Sequence, residues 1–403
     1  VSDERRLDRR LVALLAVATG VGAANIWYVQ PLLNEIGRAF SISDAAAGLL
    51  VTAVQAGYVI GLAFVVPLGD LLERRALISG LMAATALAAV ACAVAPSIGV
   101  LYGALAVLGL TACVAQVLVP LASHLAGPSE RGAIVGTVMS GLLIGILLAR
   151  TVSGLIAELG GWRLVYVVAA VVMLALAVVL RRALPRVEPT TETSYGGLLR
   201  SVVSLVAQEP VLRQRMAIGF LVMAGFTALW TTSTLLLGAE PYGYSEGVIG
   251  LFGIAGVAGA LIAPLAGRWA DQGHGRLAMT VFLVLLIVGW GLLLLGTTSL
   301  AFYIAGIVVF DFGVQGAHIN NQTTIYALAP EARSRLTTAY MTAYFLGGTV
   351  GSLLGSAAYD LGGWHEVCGL GALLAGLAVV LWAATQRVTR GAAARARSPI
   401  SER

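Results

Sequence analysis

Apolar runs of about twenty residues, each long enough to cross roughly 30 Å of hydrocarbon as a helix, recur from Leu11 to Thr385 with only short polar interruptions. Their spacing predicts twelve spans, at 11–30, 45–68, 76–95, 98–122, 132–157, 163–181, 215–237, 247–267, 277–296, 300–326, 336–358 and 366–385. Strands of a membrane barrel would be shorter and would alternate in polarity, whereas these runs are apolar all round and rich in Ala, Leu, Val and Gly. Composition agrees: 59% of the 403 residues are hydrophobic, 11% are charged and the mean hydropathy is +0.90, more apolar surface than a soluble domain can bury. The expectation is an all-α membrane protein. The first span follows a charged stretch, as a secretory leader would, but with no soluble secreted domain after it we read it as a true first helix.

All 25 basic residues are Arg, and nearly all of them fall in loops on one side. Arg5, Arg6, Arg9 and Arg10 precede span 1, Arg74 and Arg75 follow span 2, Arg181, Arg182 and Arg186 follow span 6, and Arg333 and Arg335 precede span 11. The opposite side carries only Arg38 and Arg163. Positive charge marks the cytoplasmic side, so both termini are expected there, in a multi-pass protein of the inner (cytoplasmic) cell membrane. The sequence pI of 9.3 therefore reports topology, and no nucleic-acid partner is read into it. The Arg-rich tail from Arg387 can sit against anionic lipid. Cys92, Cys113 and Cys368 lie in or beside apolar spans without CxxC spacing, so no disulfide framework, metal site or cofactor is expected.

An internal repeat at an offset of 202 residues divides the chain. Pro128 to Trp162 matches Pro330 to Trp364: Arg131 pairs with Arg333, Met139 with Met341, Gly145 with Gly347, and LGGW at 159–162 with LGGW at 361–364. PLGDLLERR after span 2 and PLAGRWADQGHGR after span 8 place Asp70 and Asp271 in equivalent loops. The polar stretch RRALPRVEPTTETSYGG lies between the halves and suits an exposed linker, followed at 198–207 by a segment that is either amphipathic enough to lie on the cytoplasmic membrane surface or an ordinary loop helix. We expect a six-helix bundle at 1–182, a cytoplasmic linker at 183–214, a second, pseudo-symmetric six-helix bundle at 215–386 and a cytoplasmic tail at 387–403.

Two six-helix halves in parallel repeat, a long central loop and an acidic motif after spans 2 and 8 together resemble the major facilitator superfamily over the whole chain. The superfamily's loop signature is G-x-x-x-D-R-x-G-R-R; Asp70, Arg74 and Arg75 match it, while Val66, Leu71 and Glu73 depart, and the second copy keeps Gly267 and Asp271 with Gly275 and Arg276 shifted by one residue. The resemblance implies an electrostatic latch on the cytoplasmic side at Asp70, Arg74 and Asp271; the competing reading is that the two acids only cap or solvate loop turns. Drug/proton antiporters of the superfamily carry G-x8-G-x3-G-P-x2-G-G in helix 5. Gly136, Gly145 and Gly154 fit the spacing, but Ala149 and Arg150 replace the Gly-Pro pair, and Leu105 stands where a basic residue of helix 4 is often found. NIWYVQPLL at 25–33 resembles the helix 1 signature. The chain thus looks like a bacterial drug-efflux-type facilitator in which, by resemblance, spans 1, 4, 7 and 10 line a central cavity.

A charge inside hydrocarbon costs several kcal/mol unless paired or hydrated, which singles out Arg150 in span 5 and Asp311 in span 10. At about 1.5 Å per residue, Arg150 lies roughly 12 Å inside Glu158 and Asp311 roughly 18 Å below Ser299, depths compatible with pairing. Asp311, Gln315, His318 and Gln322 follow at steps of four, three and four, which makes one polar stripe on a helix, either lining the cavity or forming an interhelical hydrogen-bond seam. Asp311 can take up and release a proton: burial favours its neutral form and a nearby Arg150 the carboxylate, so the two form a candidate switch. The alternative is a permanent buried ion pair. His318 can relay the proton or serve as a neutral hydrogen-bonded side chain. Asn25, Gln55, Gln116 and Trp230, with Tyr58 and the hydroxyls to Thr234, supply opposing cavity groups; Trp230 and Phe226, one turn apart, either stack on an aromatic solute or pack helices.

The expected function is secondary active transport of a small organic solute by alternating access, as proton-coupled efflux. Its partners are the solute, protons and the lipid bilayer, and a monomer is the expected working unit. Proton-coupled or facilitative uptake uses the same parts. A membrane enzyme or sensor is disfavoured, since there is no HExxH, GxSxG or phosphate-binding Gly loop and the loops are short; a channel is disfavoured for want of a selectivity ring.

Overall fold

The computed structural model describes residues 8–127, 130–187, 189, 194–261, 274–297, 299–329 and 332–397. Twelve long helices run through the described residues. They are α1 (Arg9–Ala24), α2 (Asp44–Ile60), α3 (Arg74–Ala93), α4 (Ile98–Thr111, resumed at Ala115–Leu125), α5 and α6 (131–159 and 162–183), α7 (Pro210–Gly238), α8 (Glu246–Leu261), α9 (Gly275–Leu295), α10 (Leu300–Tyr326), α11 (Arg333–Gly362) and α12 (Trp364–Arg397). Short helices at Leu33–Phe40 and Tyr195–Gln208 lie between α1 and α2 and in the linker. No strand occurs among the described residues.

Among the described residues, eight stretches are long and apolar enough to span a membrane by themselves. α1 falls short because it stops at Asn25, whose Nδ2 donates to the Val21 oxygen at 2.8 Å and so competes for the carbonyls of its own last turn. The chain then passes through turns to a 3-10 segment at Gln30–Leu32 with Pro31 at its start, where the missing N–H is no loss. α11 is long, but Gly, Ser, Thr and Tyr dilute its apolar character. α5 and α6 meet without a loop: Gly160 and Gly161 break the helix, Gly161 with φ 79°, and the repeat partner Gly363 has φ 70°. Those left-handed dihedrals are why LGGW recurs. Trp162 and Trp364 are buried beside the corners, and Trp364 Nε1 donates to the Leu293 oxygen at 2.8 Å.

Contacts within the first half join α1 and α3 to α5 and α6, and α2 to α4; in the second half α7 packs on α11 and α12, and α9 on α10. Two helix pairs form the main seams between halves, α5 with α8 and α2 with α11. This is the twelve-helix, two-bundle architecture expected from the spans and the repeat. We call the end bearing the start of α1 and the linker the linker face, and the other the far face. At the far face the halves are tied together: Asn34 Nδ2 donates to the Thr234 oxygen at 2.8 Å, Thr234 Oγ1 to the Gln30 oxygen at 2.8 Å, and Arg38 pairs with Glu246 at 3.8 Å. On the inner surface nearer the linker face, Gln315, His318 and Gln322 of α10 and Gln116 of α4 remain half-buried.

Candidate functional site

Arg150 is 4% exposed, and the unwound segment after α1 is what surrounds it. Its Nε donates to Gln30 Oε1 at 2.7 Å. Its guanidinium carbon lies 4.9 Å from the Trp27 ring centre, 5.6 Å from Phe226 and 4.4 Å from Trp230. Two of these rings come from α7, in the other half, so the cation sits across the seam in an aromatic cage; a desolvated cation–π contact contributes about 2 kcal/mol. A cavity of about 10 Å³ adjoins it, lined by Gln30, Arg150, Trp230 and Thr234 among others, room for roughly one water.

Asp311 is likewise 4% exposed, within electrostatic reach of Arg150 and beside the Trp230 indole. Among the described residues the ion pairs are Arg38–Glu246, Arg74–Asp70 and Arg181–Glu73; none joins Arg150 to Asp311. Asp311 Oδ1, Trp230 Nε1, Arg150 Nη2 and Gln30 Nε2 are all buried and unpartnered. Gln30, Arg150, Trp230 and Asp311 thus form one cluster, with the Trp230 indole beside both charges and no closed salt bridge. Such a pair feels its partner's charge but is not locked by it.

Other polar groups share this level. Gln55 of α2 is fully buried with both amide atoms unpartnered, as are Thr227 Oγ1, Thr231 Oγ1 and Asn25 Oδ1. Gln116 Nε2 donates to Tyr58 Oη at 3.4 Å, and the Tyr58 ring meets Phe345 of α11 at 4.6 Å.

Below Asp311 the stripe of α10 divides. Among the described residues Gln315 has no hydrogen-bond partner, and Gln322 Nε2 lies 3.9 Å from Met341 Sδ. His318 Nδ1 is 3.1 Å from Tyr340 Oη, with its ring 4.5 Å from Tyr344. Tyr340 Oη accepts from Asn321 Nδ2 at 3.3 Å, and Asn320 and Asn321 accept from Arg215 Nη1 at 3.2 and 3.3 Å. Arg215 is 7% exposed, with its guanidinium 4.8 Å from the Trp382 ring centre. Arg215 is not legible as a buried cation in the sequence because the apolar run begins at residue 215; α7 begins at Pro210, and its first-turn proline is the available signal. His318 is thereby tied towards Arg215, and no contact links it to Asp311.

The Major Facilitator Superfamily pattern matches residues 15–350. The chain belongs to that superfamily. It is similar to the uncharacterised transporter YgaY of Escherichia coli O157:H7, 48% identical over 376 residues that cover 93% of this chain and 95% of the relative. It is 33% identical to a Streptomyces coelicolor protein named as a probable transporter, covering 94% of this chain and 87% of that one. Its fold matches the crystal structure of a bacterial homologue of the human lysosomal transporter Spinster, in an inward-facing and occupied conformation, with a TM-score of 0.75, 16% identity and coverage of 94% and 96%. The chain is therefore a multi-pass membrane transporter.

Within the superfamily member the loop motif is local. Arg74 Nε donates to the Gly69 oxygen at 3.0 Å, and its Nη2 reaches Asp70 at 3.4 Å, both inside the first half. Asp271 lies outside the described residues. Glu73, which departs from the superfamily signature, holds the loop: its carboxylate accepts from the Arg75 and Ala76 N–H groups at 2.9 Å and from Val187 N–H at 3.4 Å, joining the start of α3 to the linker just after α6. Burial works to raise the Glu73 carboxyl, and these three N–H groups outweigh it, holding it below the ordinary glutamate value. Of the α5 glycines, Gly145 abuts Gly20 of α1, Gly154 abuts the Glu246 oxygen of α8, and a Cβ at Gly136 would touch none of the described residues outside its own turn of helix.

Proposed function

We propose that this superfamily transporter moves a small organic solute by alternating access and couples the movement to protons through Asp311. One observation carries the proposal: Arg150 and Asp311, buried opposite charges on helices of opposite halves, lie in mutual electrostatic reach without an ion pair. Opening the α5–α8 seam separates the halves that hold them and so alters the field at Asp311; a proton bound on one side of the membrane is then released on the other. Trp27, Phe226 and Trp230 offer aromatic walls for the solute, and Gln55, Gln116 and Gln315 offer amides. His318 acts in this reading through Tyr340, as a link to the linker face. The positive-charge asymmetry puts that face in the cytoplasm, with the far face closed towards the outside, and the likeness of α5 to drug-efflux members favours export. Asp70 and Arg74 brace their loop here and engage the second half, through Asp271, once the linker face closes.

The test is reconstitution in liposomes with an imposed proton gradient and a chemically broad solute panel. Loss of gradient-driven flux in Asp311→Asn with solute exchange retained is the expected result. Equal flux in both proteins makes Asp311 a structural residue and ends the coupling proposal.

A further inference from the structure

We infer that the solute carries a carboxylate, bound by Arg150 and Gln30. This deepens the transport reading and rests on it. A guanidinium presents five N–H donors, and Arg150 uses one of them, at Nε, on Gln30. Its Nη2 is buried without a partner, and so is the Nε2 of the same Gln30; both side chains, 4% and 1% exposed, line one cavity. Gln30 Oε1, the acceptor on that side, is already taken, so the surplus is of donors. Buried cations are matched by anions or are strongly penalised, and the nearby carboxylate, Asp311, makes no ion pair with Arg150. A planar, bidentate acceptor fits a guanidinium edge, which selects a carboxylate over a single-point acceptor.

The rest of the site says what the carboxylate is attached to. Trp27, Phe226 and Trp230 surround the cation with apolar ring faces, so the group next to the carboxylate is flat and apolar. The adjoining cavity of about 10 Å³ is too small for such a body. The site therefore takes its ligand as Trp230 and α8 draw away from Arg150, on the separation of halves that transport requires. Arg150 keeps its place meanwhile, since Gln30 and Trp27 belong to its own half.

The experiment uses the full chain, purified, with benzoate, benzamide, benzylammonium and sodium chloride added at equal concentration and ionic strength. The readouts are the thermal unfolding midpoint and tryptophan fluorescence, which reports directly because Arg150 stacks on two indoles. Benzoate alone is expected to raise the midpoint and shift the emission. Arg150→Lys, which keeps the charge but loses the fork, is expected to bind benzoate at least tenfold more weakly. Gln30→Glu supplies the missing carboxylate from within, so its midpoint rises without ligand and its benzoate response disappears. An equal response to all four additives, a preference for benzylammonium, or a Gln30→Glu protein that is less stable and still responds to benzoate overturns the proposal. Binding is read without a gradient and also in Asp311→Asn, so the two readings fail separately. Benzoate-selective binding with gradient-independent flux removes only the coupling, and gradient-driven flux with no carboxylate preference removes only the anion site.

Discussion

The two seams between the halves come from the same repeated sequence, yet only one of them holds a buried cation. Across α5–α8, Arg150, Thr151, Gly154 and Glu158 face Ser245, Glu246, Gly247 and Gly250; at an offset of 202, α11–α2 sets Ser352, Ser356 and Asp360 opposite Ser43, Asp44 and Gly48. The glycine in the facing helix is common to both. At the first seam Thr151 Oγ1 donates to the Gly250 oxygen at 2.9 Å, and Glu158 accepts from the Ser245 hydroxyl and from Gly247 N–H at 3.2 Å. At the second, Thr52 and Ser352 hydroxyls meet at 2.8 Å, and Asp360, one methylene shorter than Glu158, has no hydrogen-bond partner among the described residues. The backbone geometry of closure is thus duplicated, while the buried cation was placed on one seam only. Alternating access needs both seams to open, but a solute needs to be recognised at one.

That difference can be broken most severely at the glycines. A Cβ at Gly250 would stand 2.6 Å from the Arg150 carbonyl oxygen, a backbone atom with nowhere to go, so Gly250→Ala is expected to cost about 1–3 kcal/mol and to abolish flux. At Gly48 the Cβ overlaps the Ser356 side chain instead, so Gly48→Ala is damaging alone and relieved by Ser356→Gly. Thermal unfolding and flux of the single and paired variants check this; rescue of Gly250→Ala by truncating a neighbour would show that the α5–α8 approach is not set by backbone. A smaller effect separates the acids. Glu158→Gln weakens a charged acceptor at an exposed position by about 1 kcal/mol, roughly fivefold in the population open at the far face. Asp360→Asn changes nothing there. The labelling rate of a cysteine introduced at Gly243 reads both variants, and equal rates would mean that Glu158 does not clamp the seam.

What the sequence made legible follows the same division. Span length and the LGGW repeat are written in composition and spacing, so twelve helices and two halves could be drawn before any coordinates. Arg150 and Asp311 stood out because a charge is conspicuous in an apolar run. Gln30 and Trp27 did not stand out as its partners: span 1 was drawn unbroken through residue 30, and the bend that brings them to Arg150 begins with the Asn25 amide turning back on its own helix. Direct pairing of Arg150 with Asp311 is compatible with depth counted along each helix, but no ion pair joins them, and lateral position is not encoded in spacing. Arg215 was hidden by a boundary drawn five residues late.

The weakest expected effect tests whether the comparison concerns the seams alone. Glu73 lies on the linker face and its hydrogen bonds reach only α3 and the start of the linker, so its removal should lower stability without moving either seam. As the N-cap of α3 it contributes about 1 kcal/mol. Its folded carboxyl lies below the ordinary value, so that contribution is fully present above the unfolded glutamate range and is lost as pH falls through the folded value. Glu73→Gln is therefore expected to be less stable than the parent at neutral pH and to converge with it in acid, with labelling at residue 243 unchanged throughout. A change in that labelling would mean that the α2–α3 loop is coupled to closure at the far face, and the seams could no longer be treated as separate from the face that the termini share.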